Sequence, residues 1–225
     1  MNKNRNFPRL RVDPLAGAVF LGLLLTDRSG FGVSLLLAAA AHEAGHLLAA
    51  AVLKISVVSL RLGLLGARIE TRGGVLGYGA EWKLAAAGPA ASFACAAAAL
   101  PFRSVAESVS RFCAASFLLG LLNLLPVETF DGGRMARCML AARFGDAASV
   151  RVCRAVSFCV LFLLWCVSVY LLLRAGSGVS WLGFSMSLFA RFFDDSDRPD
   201  ARALPEHSGE KTRKTEQNRG KRGKL

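Results

Sequence analysis

Apolar and polar positions alternate in long blocks along this chain, and the block lengths are those of membrane helices. Residues 1–12 are polar and basic. A first apolar segment runs from about Pro14 to Leu25, short for a span. A turn, Asp27-Arg28-Ser29-Gly30, separates it from residues 31–53, an apolar run of the length a bilayer requires. Residues 55–82 change character. They are β-branched and punctuated by glycine, which predicts two to four short strands joined by tight turns. Small residues dominate 84–102 and predict a helix that a neighbour can approach closely. A polar loop follows, then an apolar helix over 112–125 that Pro126 should end. The stretch after Asp131 reads as a short basic amphipathic helix. Residues 155–173 are the most apolar span, and 179–193 supply a weaker sixth.

These elements define an all-α polytopic membrane protein of about six transmembrane helices. A small membrane-associated β-hairpin or sheet is inserted at about 55–82. The organisation is a cytoplasmic basic N-terminus (1–12), one membrane domain (13–193) and a polar, basic, disordered tail (194–225). Composition sharpens this picture: 53% of the 225 residues are hydrophobic and only 20% are charged. The mean hydropathy is +0.41, which argues against both a soluble globular domain and a disordered chain.

The formal net charge of +12 suggests nucleic acid at first sight. However, the basic residues flank apolar spans, and no aromatics interleave with them in the tail. No nucleic-acid partner is expected, and the lipid bilayer is the natural one. Lys54, Arg61, Arg68, Arg72 and Lys83, and later Arg134, Arg137, Arg143, Arg151 and Arg154, put their segments in the cytoplasm by the positive-inside rule. Both termini fall on that side, and a bacterial cytoplasmic membrane is the expected location. The six cysteines form no CxxC pair and read as small apolar residues in helices.

Chemistry enters with His42-Glu43-Ala44-Gly45-His46. Positions i and i+4 share a helix face, so both imidazoles can reach one metal ion, and Glu43 can act as general base on its water. Chance supplies such a pattern roughly once in seven hundred chains of this composition. A carboxylate in such a helix costs on the order of 2–3 kcal/mol to insert, so these residues read as functional. A catalytic zinc site takes three protein ligands and a water. The third ligand must come from elsewhere, and Glu128 and Asp131 are the acids at hand. Asp131 is evenly balanced between ligand and helix N-cap.

Taken together, HExxH and the later Asn123-Leu124-Leu125-Pro126-Val127-Glu128-Thr129-Phe130-Asp131-Gly132 (NxxPxxxxDG) resemble the intramembrane metalloproteases of the site-2 protease family. The resemblance covers roughly residues 10–190. It implies zinc as cofactor, His42, His46 and Asp131 as ligands, and Glu43 as the base. Gly88-Pro89-Ala90-Ala91-Ser92 resembles the family's GPxxN element with Ser in place of Asn. It implies a substrate-positioning role for Gly88, Pro89, Ser92 and Asn123, with Ser92 reaching less far than Asn. Glu128 departs from the family's apolar position and reads as solvated or as a partner of Arg134.

The length and the NLLP…DGGR wording are most similar to sporulation-type members, which lack a PDZ domain and process a membrane-tethered pro-sigma factor. The expected function is therefore intramembrane hydrolysis of a membrane-tethered protein substrate near the cytoplasmic face. A regulatory membrane protein would be a natural further partner. The alternative from another class is a catalytically silent membrane scaffold of the same fold. A zinc transporter fits less well, because the sequence offers one tight constellation and no path of exchangeable sites.

Overall fold

The computed structural model describes residues 9–12, 21–22, 24–25, 27, 29–55, 57–63, 66–71, 76–175 and 179–196. Among the described residues, six complete α-helices carry the fold. They are α1 (Phe31–Val52), α2 (Tyr78–Ala99), α3 (Glu107–Asn123), α4 (Asp131–Phe144), α5 (Asp146–Ala175) and α6 (Val179–Ser196). Three strands, β1 (Arg9–Val12), β2 (Val57–Gly63) and β3 (Gly66–Thr71), form one sheet in the order β1-β2-β3. β1 runs parallel to β2, with Arg9 opposite Ser59, and β2 runs antiparallel to β3, with Leu60 opposite Ile69.

Three of these helices are long and apolar enough to cross a membrane: Phe31–Val52, Tyr78–Phe102 with its terminal 3-10 turn, and Asp146–Arg174. The first apolar segment expected from the sequence, about 14–25, lies mostly outside the described residues, as does the basic tail from 197 onward. Four boundaries differ from expectation. The β-like region ends before Tyr78, where α2 begins, instead of at 82. α3 starts at Glu107, inside the stretch read as a polar loop, because Ala106 is extended and Glu107 favours a first turn. α5 starts at Asp146, nine residues before the apolar run. At about 45 Å it exceeds the roughly 30 Å hydrocarbon thickness, so its Arg151–Arg154 end can stand in the headgroups. β1 falls within the segment read only as a basic N-terminus.

Local chemistry explains where α1 begins. Gly30 takes a left-handed conformation (φ +75°) just before it. Asp27 accepts hydrogen bonds from Ser29 N at 2.9 Å and Gly32 N at 2.5 Å, which satisfies amides that the helix leaves bare. A further bond from the Ser29 hydroxyl, ahead of the Gly32 amide, holds the Asp27 carboxyl below its usual pKa. Along α1 the buried positions include Ser34, Ala38, His42, His46 and Ala50. They form one stripe with a four-residue step, and this stripe carries both histidines into the interior.

Candidate active site

His42 and His46 lie one turn apart on the buried stripe of α1, with ring centroids 4.9 Å apart and planes nearly perpendicular. Asp131 is the first residue of α4. The N-cap position belongs to Phe130, which has no side-chain capping bond, so the Asp131 carboxylate is aimed at the imidazoles. Its Oδ2 is 3.1 Å from His42 Nε2 and 3.1 Å from His46 Nε2, and the two Nε2 atoms are 3.3 Å apart. All three side chains are buried.

This triangle fits a zinc ion on two grounds. Donors bound at about 2.0–2.1 Å in a tetrahedral arrangement stand about 3.3 Å apart. The proton accounting points the same way. His46 Nδ1 lies 2.8 Å from Leu84 O, a carbonyl that can only accept. In a neutral imidazole Nδ1 therefore carries the hydrogen, and Nε2 presents a bare lone pair to a carboxylate oxygen. His42 Nδ1 sits 2.9 Å from Ser92 Oγ, which can accept its hydrogen in the same way. A single proton could bridge one pair of these acceptors, whereas a cation at the centre serves all three.

Glycines give the site its room. A Cβ on Gly88 would fall on His46 Nε2 and within 2.6 Å of His42 Nε2, so α2 closes one side of the triangle only because that carbon is missing. A Cβ on Gly45 would lie 2.5 Å from Ala91 Cβ and 2.6 Å from Ala87 O, so α1 and α2 touch through small residues. On the acid's side, a Cβ on Gly132 would meet Leu124 O and one on Gly133 would meet Val127 O. The loop therefore packs directly on the first turn of α4.

Charge surrounds the acid as well. Arg134 reaches Asp131 Oδ1 at 3.6 Å and, through its other terminal nitrogen, Glu81 at 3.8 Å. The arginine contacts seen here are thus to Asp131 and Glu81. Glu128 contributes its backbone, with its N–H donating to Ser157 Oγ at 3.0 Å.

The structure brings together His42, His46, Asp131, Gly88 and Ser92. Pro89 is buried beside Gly88 in α2. Glu43 follows His42 on α1 and is half-buried. Asn123 ends α3, where its Nδ2 donates to Leu119 O at 3.0 Å. Ser92 is fully buried, and its Oγ stands 2.9 Å from His42 Nδ1. Sequence reasoning missed Leu84, Arg134 and Ser157. Leu84 acts through a backbone carbonyl that no residue type reveals. In the sequence Arg134 reads as a basic flank residue or a partner of Glu128, not as a neighbour of Asp131. Ser157 was one hydroxyl within the most apolar span.

The profile of peptidase family M50 matches residues 98–167, which include the Asn123–Gly132 motif. The similarity to that family covers about a third of this chain. Rip3 of Mycobacterium tuberculosis, assigned as a zinc metalloprotease, is 36% identical over 129 residues in both strains H37Rv and Erdman. The match covers 53% of this chain and 33% of Rip3, so the chain spans about a third of the length of the curated relatives it matches. The site-2 protease of Methanocaldococcus jannaschii superposes with a TM-score of 0.59 at 18% identity, covering 86% of this chain and 89% of that one. That likeness shows a fold shared over most of the chain. Zinc suits a buried donor set of two histidines and an aspartate.

Proposed function

We propose that this M50 chain is an intramembrane zinc endopeptidase. One observation carries the reading: three buried donor atoms from α1 and α4 that all lie within 4.8 Å of one another. His42, His46 and Asp131 are the ligands in this reading, and Glu43 is the general base. Zinc bound there supplies Lewis acidity and lowers the pKa of a water to about 7. Glu43 takes the proton as the water oxygen bonds to the scissile carbonyl carbon. It then returns that proton to the leaving nitrogen as the carbon–nitrogen bond breaks. Ser92 and the Leu84 carbonyl hold each imidazole with Nε2 free. Gly88 keeps α2 close without filling the site.

The substrate in this reading is a membrane-tethered protein cut near the cytoplasmic face, with a pro-sigma or other regulatory factor as the class. The enzyme has about six spans in a bacterial cytoplasmic membrane, with both termini in the cytoplasm. A helical substrate hides its carbonyls, so it must unwind. The outer edge of β3, which pairs with no strand among the described residues, offers backbone groups to receive it.

The test starts with zinc content in detergent-purified protein. About one zinc per chain is expected in wild type, with none in His46→Ala. Glu43→Gln should keep the zinc and lose cleavage of a membrane-tethered reporter. Wild type without zinc overturns the reading. Wild-type activity in Glu43→Gln overturns the role of Glu43. Zinc without any cleavage in wild type would favour the silent scaffold.

A further inference from the structure

Asp131 is the one ligand not borne on α1, and it follows a loop without helical support. Residues 124–130 connect α3 to α4; Leu124 and Leu125 bond back to the last turn of α3, and beyond them short turn bonds, Val127 N to Leu125 O and Phe130 N to Val127 O, order the loop. Something outside the loop must therefore fix where Asp131 stands. Two glycine contacts hold the α4 side, as described. The other side is held by α5, a span that contributes no ligand.

Ser157 of α5 is fully buried. Its Oγ accepts from Glu128 N at 3.0 Å and donates to Pro126 O at 3.4 Å. One hydroxyl thus engages a donor and an acceptor on either side of Val127. Val127 is itself buried in a cluster with Phe130, Leu161 of α5, and Leu188 and Phe192 of α6. Ser157 therefore meets the loop backbone from outside it, taking the Glu128 N–H and giving its own hydrogen to Pro126 O. In an apolar surrounding, such bonds to loop backbone groups count heavily.

We propose that Ser157 is a positioning residue for the metal centre. It clamps the Pro126–Glu128 backbone to α5 and thereby sets the place of the Asp131 carboxylate against His42 and His46. The proposal rests on the zinc reading above. Ser157 is 26 residues beyond Asp131 and belongs to neither motif, so its part is visible only in three dimensions.

The experiment compares zinc affinity, by competition with a chromophoric chelator, in detergent-purified full-length wild type, Asp131→Ala, Ser157→Ala, Ser157→Thr and Ser149→Ala. Ser149 is also buried on α5, but it bonds Asp146 O within its own segment and controls for the loss of any buried hydroxyl. Zinc-edge X-ray absorption of the loaded proteins reads the ligand shell directly. Ser157→Ala should weaken zinc binding about tenfold or more and change the oxygen part of the shell. Ser157→Thr, which keeps the hydroxyl, should restore both, and Ser149→Ala should match wild type. An unchanged affinity and shell in Ser157→Ala overturns the proposal. So does an equal loss in Ser149→Ala, or a folded Ser157→Thr that fails to recover zinc. If Ser157→Ala does not fold, the Thr variant decides alone. Tight zinc in wild type, lost in Asp131→Ala, separates these outcomes from failure of the zinc reading, in which wild type binds none.

Discussion

The contact between α1 and α2 and the contact between α5 and α6 are built from opposite materials. At the first, Gly45 meets Ala87 and Ala91, and Gly88 lies against both imidazoles. At the second, Phe158 of α5 packs on Phe189 and Phe192 of α6 with ring centroids 6.2 and 6.4 Å apart, and Phe162 on Trp165 within α5 and Phe189 on Phe193 within α6 extend the aromatic cluster at 6.1 and 6.4 Å. Small residues let backbones meet with almost no adjustable atoms between them, so the positions of Nε2 and Oδ2 follow from the main chain. Aromatic side chains fill space through rotatable groups and tolerate small displacements. A metal centre needs the first kind of tolerance, and a helix pair that mainly excludes lipid can use the second.

Gly88→Ala should break the comparison most sharply. Its Cβ falls on His46 Nε2, so zinc should be absent from the purified protein and cleavage reduced by more than about a hundredfold. Gly45→Ala comes next. It pushes α1 from α2, which should cost about 1–3 kcal/mol of stability and visibly weaken zinc binding, read by thermal unfolding and chelator competition on the same sample. Ser92→Ala leaves the backbone alone and removes only the hydroxyl on His42 Nδ1. About a tenfold loss of zinc affinity is expected, and Ser92→Thr should recover most of it. Smallest of all should be Phe162→Leu on the aromatic side, with stability within about 0.5 kcal/mol of wild type and unchanged zinc affinity. A loss of zinc in that variant as large as in Ser92→Ala would erase the distinction between the two contacts.

The same contrast explains what could be read from the sequence. The grouping of His42, His46 and Asp131 was legible because chemistry restricts the residue types and the helix period restricts the spacing of the histidines. The long apolar blocks were legible because bilayer thickness sets their length. Helix starts at Tyr78, Glu107 and Asp146 were harder, since the polar ends of helices extend past the apolar run. The pairing of β1 with β2 joins residues about fifty positions apart, with no local pattern to announce it. Ser92 was singled out as a substrate-positioning residue, and no local pattern announces its contact with His42. Its hydrogen bond to His42 depends on how closely α1 and α2 approach, a distance set by Gly45 and the alanines opposite.

The order in which the ligands leave the ribosome gives this architecture a timetable. Asp131 follows His46 by 85 residues, which at 5–20 residues per second is a delay of about 4 to 17 s. During that interval two imidazoles and the Glu43 carboxylate have entered an apolar layer without the aspartate they will face. Leu84 arrives only 38 residues after His46, on the helix whose alanines fit Gly45. Newly made α1 can therefore dock on α2 and settle one imidazole well before the acid exists. The close fit of these two helices then serves as an early waypoint in biogenesis, leaving a half-built site that α4 completes.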